Sequence, residues 1–157
     1  MPARFRLAVT EPVRLVAHDP RWRDVFRTEA RLLRRALGTS VSGVHHVGST
    51  AVPCIRAKPI VDIALESQAY PPGESALRAL AALGYEHRGE SGVEGRHWFV
   101  KGVPRSVHLH WCRTGGSVAR DQVALSPRGR RGARPGPPRG VHSAAPRHLS
   151  GRGGDRS

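Results

Sequence analysis

Cysteine is nearly absent from this chain, and the two present form no pattern: Cys54 and Cys112 lie in different segments, without metal-type spacing. Reduced thiols in a cytoplasmic protein are the simplest reading. There is no long apolar run, which predicts no membrane-spanning helix. Residues 1–16 lack the apolar core of a secretory signal. Acidic residues are scarce, 12 against 26 Lys and Arg, and lysine is scarcer still, with Arg outnumbering it 24 to 2. A net charge of +14 normally suggests a nucleic-acid partner. Its distribution argues otherwise. Residues 1–125 hold 18 basic against 11 acidic side chains, and residues 126–157 hold 8 Arg against one Asp, so each part contributes +7. Arg, Ala, Gly and Pro all have GC-rich codons, and coding bias accounts for much of the basicity without any partner. Large apolar residues also run out: after Leu125 only Val141 and Leu149 are sizeable. A stretch so composed buries too little surface to offset its ordering entropy, which predicts a disordered tail over 126–157. The remaining 1–125 fits one domain.

Within that domain the apolar residues are periodic. Val13 to Val16 reads as a short strand. Asp19 and Pro20 start a helix, the first as a hydrogen-bond acceptor and the second at the first helical position. Trp22, Val25, Phe26, Glu29, Leu32, Leu33, Ala36 and Leu37 follow at spacings of three and four, an amphipathic stripe interrupted by Glu29, and Gly38 ends it. Val41 to Val47 reads as a strand leading into Gly48-Ser49-Thr50. Ile60 to Leu65 is apolar on both faces except for Asp62, as a central strand is. A second helix is expected over 74–83 with Gly84 closing it, then strand at 85–88 and a polar loop at 89–95. Arg96 to Lys101 and Val107 to Trp111 read as strands joined by a Gly-Val-Pro turn. In the last strand His108 and His110 share one face.

Few of these residues can carry chemistry. Gly48, Ser49 and Thr50 offer backbone N–H groups and hydroxyls to a phosphate, or simply cap a short helix. Asp62 is a lone carboxylate in an apolar strand and needs a partner: a metal ion, Lys58, or a hydrogen bond at the strand end. Glu66 beyond it is a second acid or a solvated one. His45 and His46 point to opposite faces, so at most one of them joins His108 and His110. Three imidazoles can hold zinc, whereas such histidines more often bond to phosphate or carboxylate. Arg96 and Lys101 flank a strand, facing either a phosphate or solvent. Trp22, Trp98 and Trp111 read as core or rim.

The string His46-Val-Gly-Ser-Thr-Ala-Val-Pro53, followed by Ala57-Lys58-Pro59-Ile60-Val61-Asp62-Ile63, resembles the signature of the GrpB family. So do His18-Asp-Pro-Arg-Trp22 with Phe26 and Glu29, Leu83-Gly84-Tyr85, Gly95-Arg96 and His108-Leu109-His110. The resemblance runs from about Val13 to about Leu125. GrpB-like proteins are grouped with the nucleotidyltransferase superfamily and are similar to the extra domain of some dephospho-CoA kinases. The resemblance implies an α/β (α+β) fold, a mixed sheet with helices mainly on one side. It implies a nucleoside triphosphate or other phosphorylated small molecule as ligand and Mg²⁺ as cofactor. Asp62 would be the catalytic and metal-holding residue, with Gly48, Ser49, Thr50, Lys58, Arg96, His108 and His110 around the phosphates. Active members of that superfamily carry two alternating carboxylates on this strand. Here the second position is Ala64, and Cys54 stands where the family commonly has Gly.

The family pattern stops at the tail. Back-translated and read one base later, residues from Leu125 onward permit family-like strings. A frameshifted, truncated domain is therefore one expectation for 126–157. Three functions remain open: transfer of a nucleotidyl group to an acceptor, non-catalytic binding of a nucleotide or phosphate, and nucleic-acid binding through the Arg-rich tail.

Overall fold

The computed structural model of the chain describes residues 12–124. The expectations for the tail, disorder and frameshift alike, lie outside these residues. Five strands form one mixed sheet: β1 (Val41–Val47), β2 (Val61–Ser67), β3 (Tyr85–His87), β4 (Arg96–Lys101) and β5 (Val107–Arg113), in the order β1-β2-β5-β4-β3. The central pair β2–β5 is parallel and every other pair antiparallel. Three helices accompany them: α1 (Arg21–Leu37), α2 (Glu74–Ala82) and α3 (Ser117–Ala124). This is the expected α+β fold.

The hydrophobic pattern explains the layering. Val61, Ile63 and Leu65 of β2, Val107, Leu109 and Trp111 of β5, and Phe99 of β4 point to one face. There Trp22, Ala30 and Leu33 of α1 and Leu80 of α2 cover them. Each such side chain contributes roughly 1.5–3 kcal/mol by leaving water, so this single layer dominates stability. Helix α1 begins at Arg21, whose N–H donates to Asp19 Oδ1 at 2.9 Å, and ends at Gly38 with φ 62°. Val25 and Leu32, read as part of the apolar stripe, are instead exposed, and Ala30 takes a core position.

Two expectations fail here. Val13 to Val16 is not a strand: Val16 makes one isolated bridge, to Ala57, because no sheet strand runs beside it. Lys101 faces neither phosphate nor open solvent. Its Nζ donates to Glu29 Oε1 at 2.7 Å on the helix-covered side of the sheet. Tyr85 donates its hydroxyl to Glu29 Oε2, also at 2.7 Å. Burial, then this bond to a carboxylate, raises the Tyr85 phenol above its ordinary pKa. The polar interruption in the α1 stripe is thus a buried fastener of α1 to β3 and β4.

Candidate functional site

The other face of the sheet carries the polar residues. Alternation along each strand, with the observed registers, places His45, Asp62, Ala64, Glu66, His108, His110, Cys112, Trp98 and Arg96 together on it. The parallel pairing sets Asp62 directly beside His108, with His110 two residues on. Asp62 Oδ1 lies 3.3 Å from His108 Nδ1 and 3.4 Å from His110 Nε2. Burial pushes the Asp62 carboxyl up, but hydrogen bonds from His108 and His110 outweigh it, so its pKa falls below the usual value. Asp62 is therefore ionised at neutral pH and accepts from both rings. Its partner is the histidine pair, not Lys58, which stands exposed in the connection to β2.

The turn after β1 closes over this carboxylate. Gly48 adopts φ 73° and ψ −169°, a region that side-chain-bearing residues essentially do not enter. A Cβ on Gly48 would lie 2.8 Å from Asp62 Oδ2. Only a glycine lets the turn pass this close to the second carboxylate oxygen. Ser49 to Ala51 then form one 3₁₀ turn. The N–H groups of Ser49 and Thr50 are the first two of this turn, which a helical turn cannot satisfy internally. Ser49 is exposed. Thr50 points inward: it is buried, and its hydroxyl lies 3.0 Å from His46 Nε2. His46 stacks on Phe26 of α1 at 5.1 Å between ring centroids. Burial lowers the His46 pKa to about 4.

The structure thus brings together Gly48, Ser49, Asp62, His108 and His110. It places the Thr50 side chain and Lys58 outside that group. Arg96 shares the face but pairs with Cys112, at the level of Glu66, so it lies well along the strands from Asp62. His45 and Glu66 answer each other, Nε2 to Oε1 at 3.0 Å, and Glu66 Oε2 accepts the Gly115 N–H at 3.2 Å. Glu66 is neither a solvated acid nor a second acid beside Asp62. Trp98, read from the sequence as core or rim, also borders the site: its ring meets His108 edge-on at 5.1 Å. Two-residue spacing from Arg96, which puts Trp98 on the same strand face, is the available signal.

The donor set limits what metal chemistry is possible. Among the described residues no three His, Cys, Asp or Glu side chains converge as a metal cage. The histidine contacts are both to Oδ1, which leaves Oδ2 as the single carboxylate oxygen that Mg²⁺ would take when ligand phosphates supply its other oxygens. It falls short of the paired carboxylates of a two-metal transfer site, since Ala64 stands in the second position.

Comparisons with known proteins agree with this architecture. The family model described as GrpB protein matches residues 12–127. A UPF0157 protein of Pseudomonas aeruginosa is 39% identical over 115 residues, covering 68% of this chain and 46% of that protein. A dephospho-CoA kinase of Mycobacterium bovis is 36% identical over 77 residues, 47% of this chain and 19% of the kinase. The crystal structure of the conserved protein GrpB from Enterococcus faecalis superposes with a TM-score of 0.64 at 30% identity, covering 67% of this chain and 64% of that one. The chain spans 33% to 55% of the length of the UPF0157 and GrpB relatives it matches, and 19% of the kinase. With the family model covering most of the chain and the solved GrpB structure sharing its fold, this protein belongs to the GrpB family.

Proposed function

We propose that this chain binds the phosphates of a nucleoside triphosphate, with one Mg²⁺, at the corner formed by Gly48, Ser49 and Asp62. The observation that carries the reading is the contact of Gly48 with Asp62. A backbone with no side chain passes over an ionised carboxylate, and a Cβ would close the gap to 2.8 Å. Asp62 Oδ2 and the phosphate oxygens would hold the ion. Bound there, Mg²⁺ neutralises phosphate charge and lets the phosphates approach the carboxylate. The N–H groups of Ser49 and Thr50 donate to phosphate oxygen. His108 and His110 orient that carboxylate through their ring N–H groups.

This is binding without the two-metal route. Ala64 supplies no second carboxylate, and Asp62 Oδ1 already accepts from two imidazoles. Nucleotidyl transfer is the second reading, favoured only by the superfamily to which the sequence pattern points. Calorimetric titration of the full chain with each nucleoside triphosphate, with and without Mg²⁺, tests the proposal. Mg²⁺-dependent binding that Asp62→Asn abolishes is expected. Absence of binding by every triphosphate refutes it, and pyrophosphate release with an added acceptor replaces it by the transfer reading.

A further inference from the structure

Helix α1 has a second face that the corner does not use. Arg23, Arg27, Arg31 and Arg34 recur at spacings of four, four and three, so their side chains share one flank of the helix. All four are exposed. At 1.5 Å rise per residue the row is about 16 Å long, with charges roughly 6 Å apart. Acidic residues hardly interrupt it. The helix has two carboxylates: Asp24 reaches Arg27 at 3.7 Å in an exposed pair, and Glu29 is buried against Lys101 and Tyr85. Arg23, Arg31 and Arg34 have no ion-pair partner among the described residues. Beside the row lies a concavity of about 510 Å³ lined by Asp24, Phe26, Arg27, Ala30, Arg31 and Arg34.

We propose that this flank of α1 binds the phosphodiester backbone of a single-stranded nucleic acid. A guanidinium is a planar fork that bonds phosphate oxygens two at a time, and a row of them tracks a strand of phosphates. The concavity gives the strand a groove whose basic lining, Arg27, Arg31 and Arg34, faces its phosphates. A lipid surface fits less well. An interfacial helix must insert its apolar face, and here Trp22, Ala30 and Leu33 are already packed on the sheet. The inference stands on the exposed flank of α1 and does not depend on the nucleotide corner.

The test must separate this row from the eight Arg of residues 126–157. Two variants of the full chain do so: Arg23, Arg27, Arg31 and Arg34 all to Gln, and Arg128, Arg130, Arg131 and Arg134 all to Gln. Gln retains helix propensity close to Arg, and circular dichroism checks that the first variant folds. Fluorescence anisotropy of a labelled oligouridylate of about 12 nucleotides then reads affinity at several salt concentrations. The wild type should show a log K against log[salt] slope of about −2 to −3 from this row, at about −0.7 per phosphate. The helix variant should bind at least ~10-fold more weakly and lose about 2 units of slope. Wild-type affinity and slope in the helix variant, or a loss confined to the tail variant, overturns the proposal. So does binding to phosphatidylserine vesicles without binding to the oligonucleotide.

Discussion

Replacing Gly48 by Ala probes the join between turn and carboxylate directly. Two effects add. The backbone there, at φ 73° and ψ −169°, resists any side chain by about 1–3 kcal/mol. The new Cβ would also meet Asp62 at 2.8 Å from Oδ2, 3.3 Å from Cβ and 3.4 Å from Cγ. Asp62 sits on a central strand held on both sides, so its backbone cannot retreat, and relief comes by rotating the carboxylate. That rotation lengthens the contacts to His108 and His110, now 3.3 and 3.4 Å, at about 1 kcal/mol for bonds this long. Together the substitution should destabilise the domain by about 3 kcal/mol, read as a lowered urea midpoint at unchanged m-value. Gly89→Ala is the control: its φ is 66°, but nothing lies within 4 Å, so only backbone strain of about 1–2 kcal/mol applies. Pairing Gly48→Ala with Asp62→Ala should recover the contact part of the loss in a double-mutant cycle. If Gly48→Ala costs no more than Gly89→Ala, or Asp62→Ala brings no relief, the packing of the turn on the carboxylate is refuted.

Cys54 adopts φ 68°, a left-handed conformation, so Cys54→Gly should raise stability by about 1 kcal/mol in the same denaturation experiment. Glu29→Gln removes the charge that Lys101 and Tyr85 share in the interior, and should lower the unfolding free energy by about 2 kcal/mol, with no change in ligand affinity at the Asp62 corner. Burial holds His46 at a pKa of about 4, below the ordinary 6.5, so the unfolded chain binds its proton first. Stability from this group is complete above about pH 6.5 and drains away as pH falls toward 4, a slope that His46→Gln should flatten in thermal melts taken across that range.

The fold was legible wherever one element decided its own pattern. The α1 stripe, the near-continuous apolar run of β2 and the alternation in β5 each predict their element within a residue or two of its bounds. Val13 to Val16 has strand propensity but forms no strand, because propensity becomes a strand only beside a partner and Val16 finds only Ala57. In the site, the shared face of His108 and His110 followed from period-2 alternation. Their bond to Asp62 did not, because it depends on the parallel register of β2 and β5, which joins residues 46 apart. In the string Gly-Ser-Thr the Thr50 hydroxyl looks like a phosphate ligand, yet the 3₁₀ turn rotates it inward to His46, which leaves only the Thr50 N–H at the corner. Glu29 read as a flaw in an apolar stripe because its partners lie on strands far along the chain.

The proposed nucleotide binding at the Asp62 corner is most directly tested by observing its two histidines during a titration. Side-chain ¹⁵N–¹H spectra of His108 and His110 should shift on adding ATP with Mg²⁺, and more weakly without the ion, while His87 and His97 at the far edge of the sheet stay still. In Asp62→Asn the Mg²⁺-dependent part should vanish. If the His108 and His110 signals ignore the nucleotide, or respond identically in Asp62→Asn, Asp62 does not hold a nucleotide and its ion.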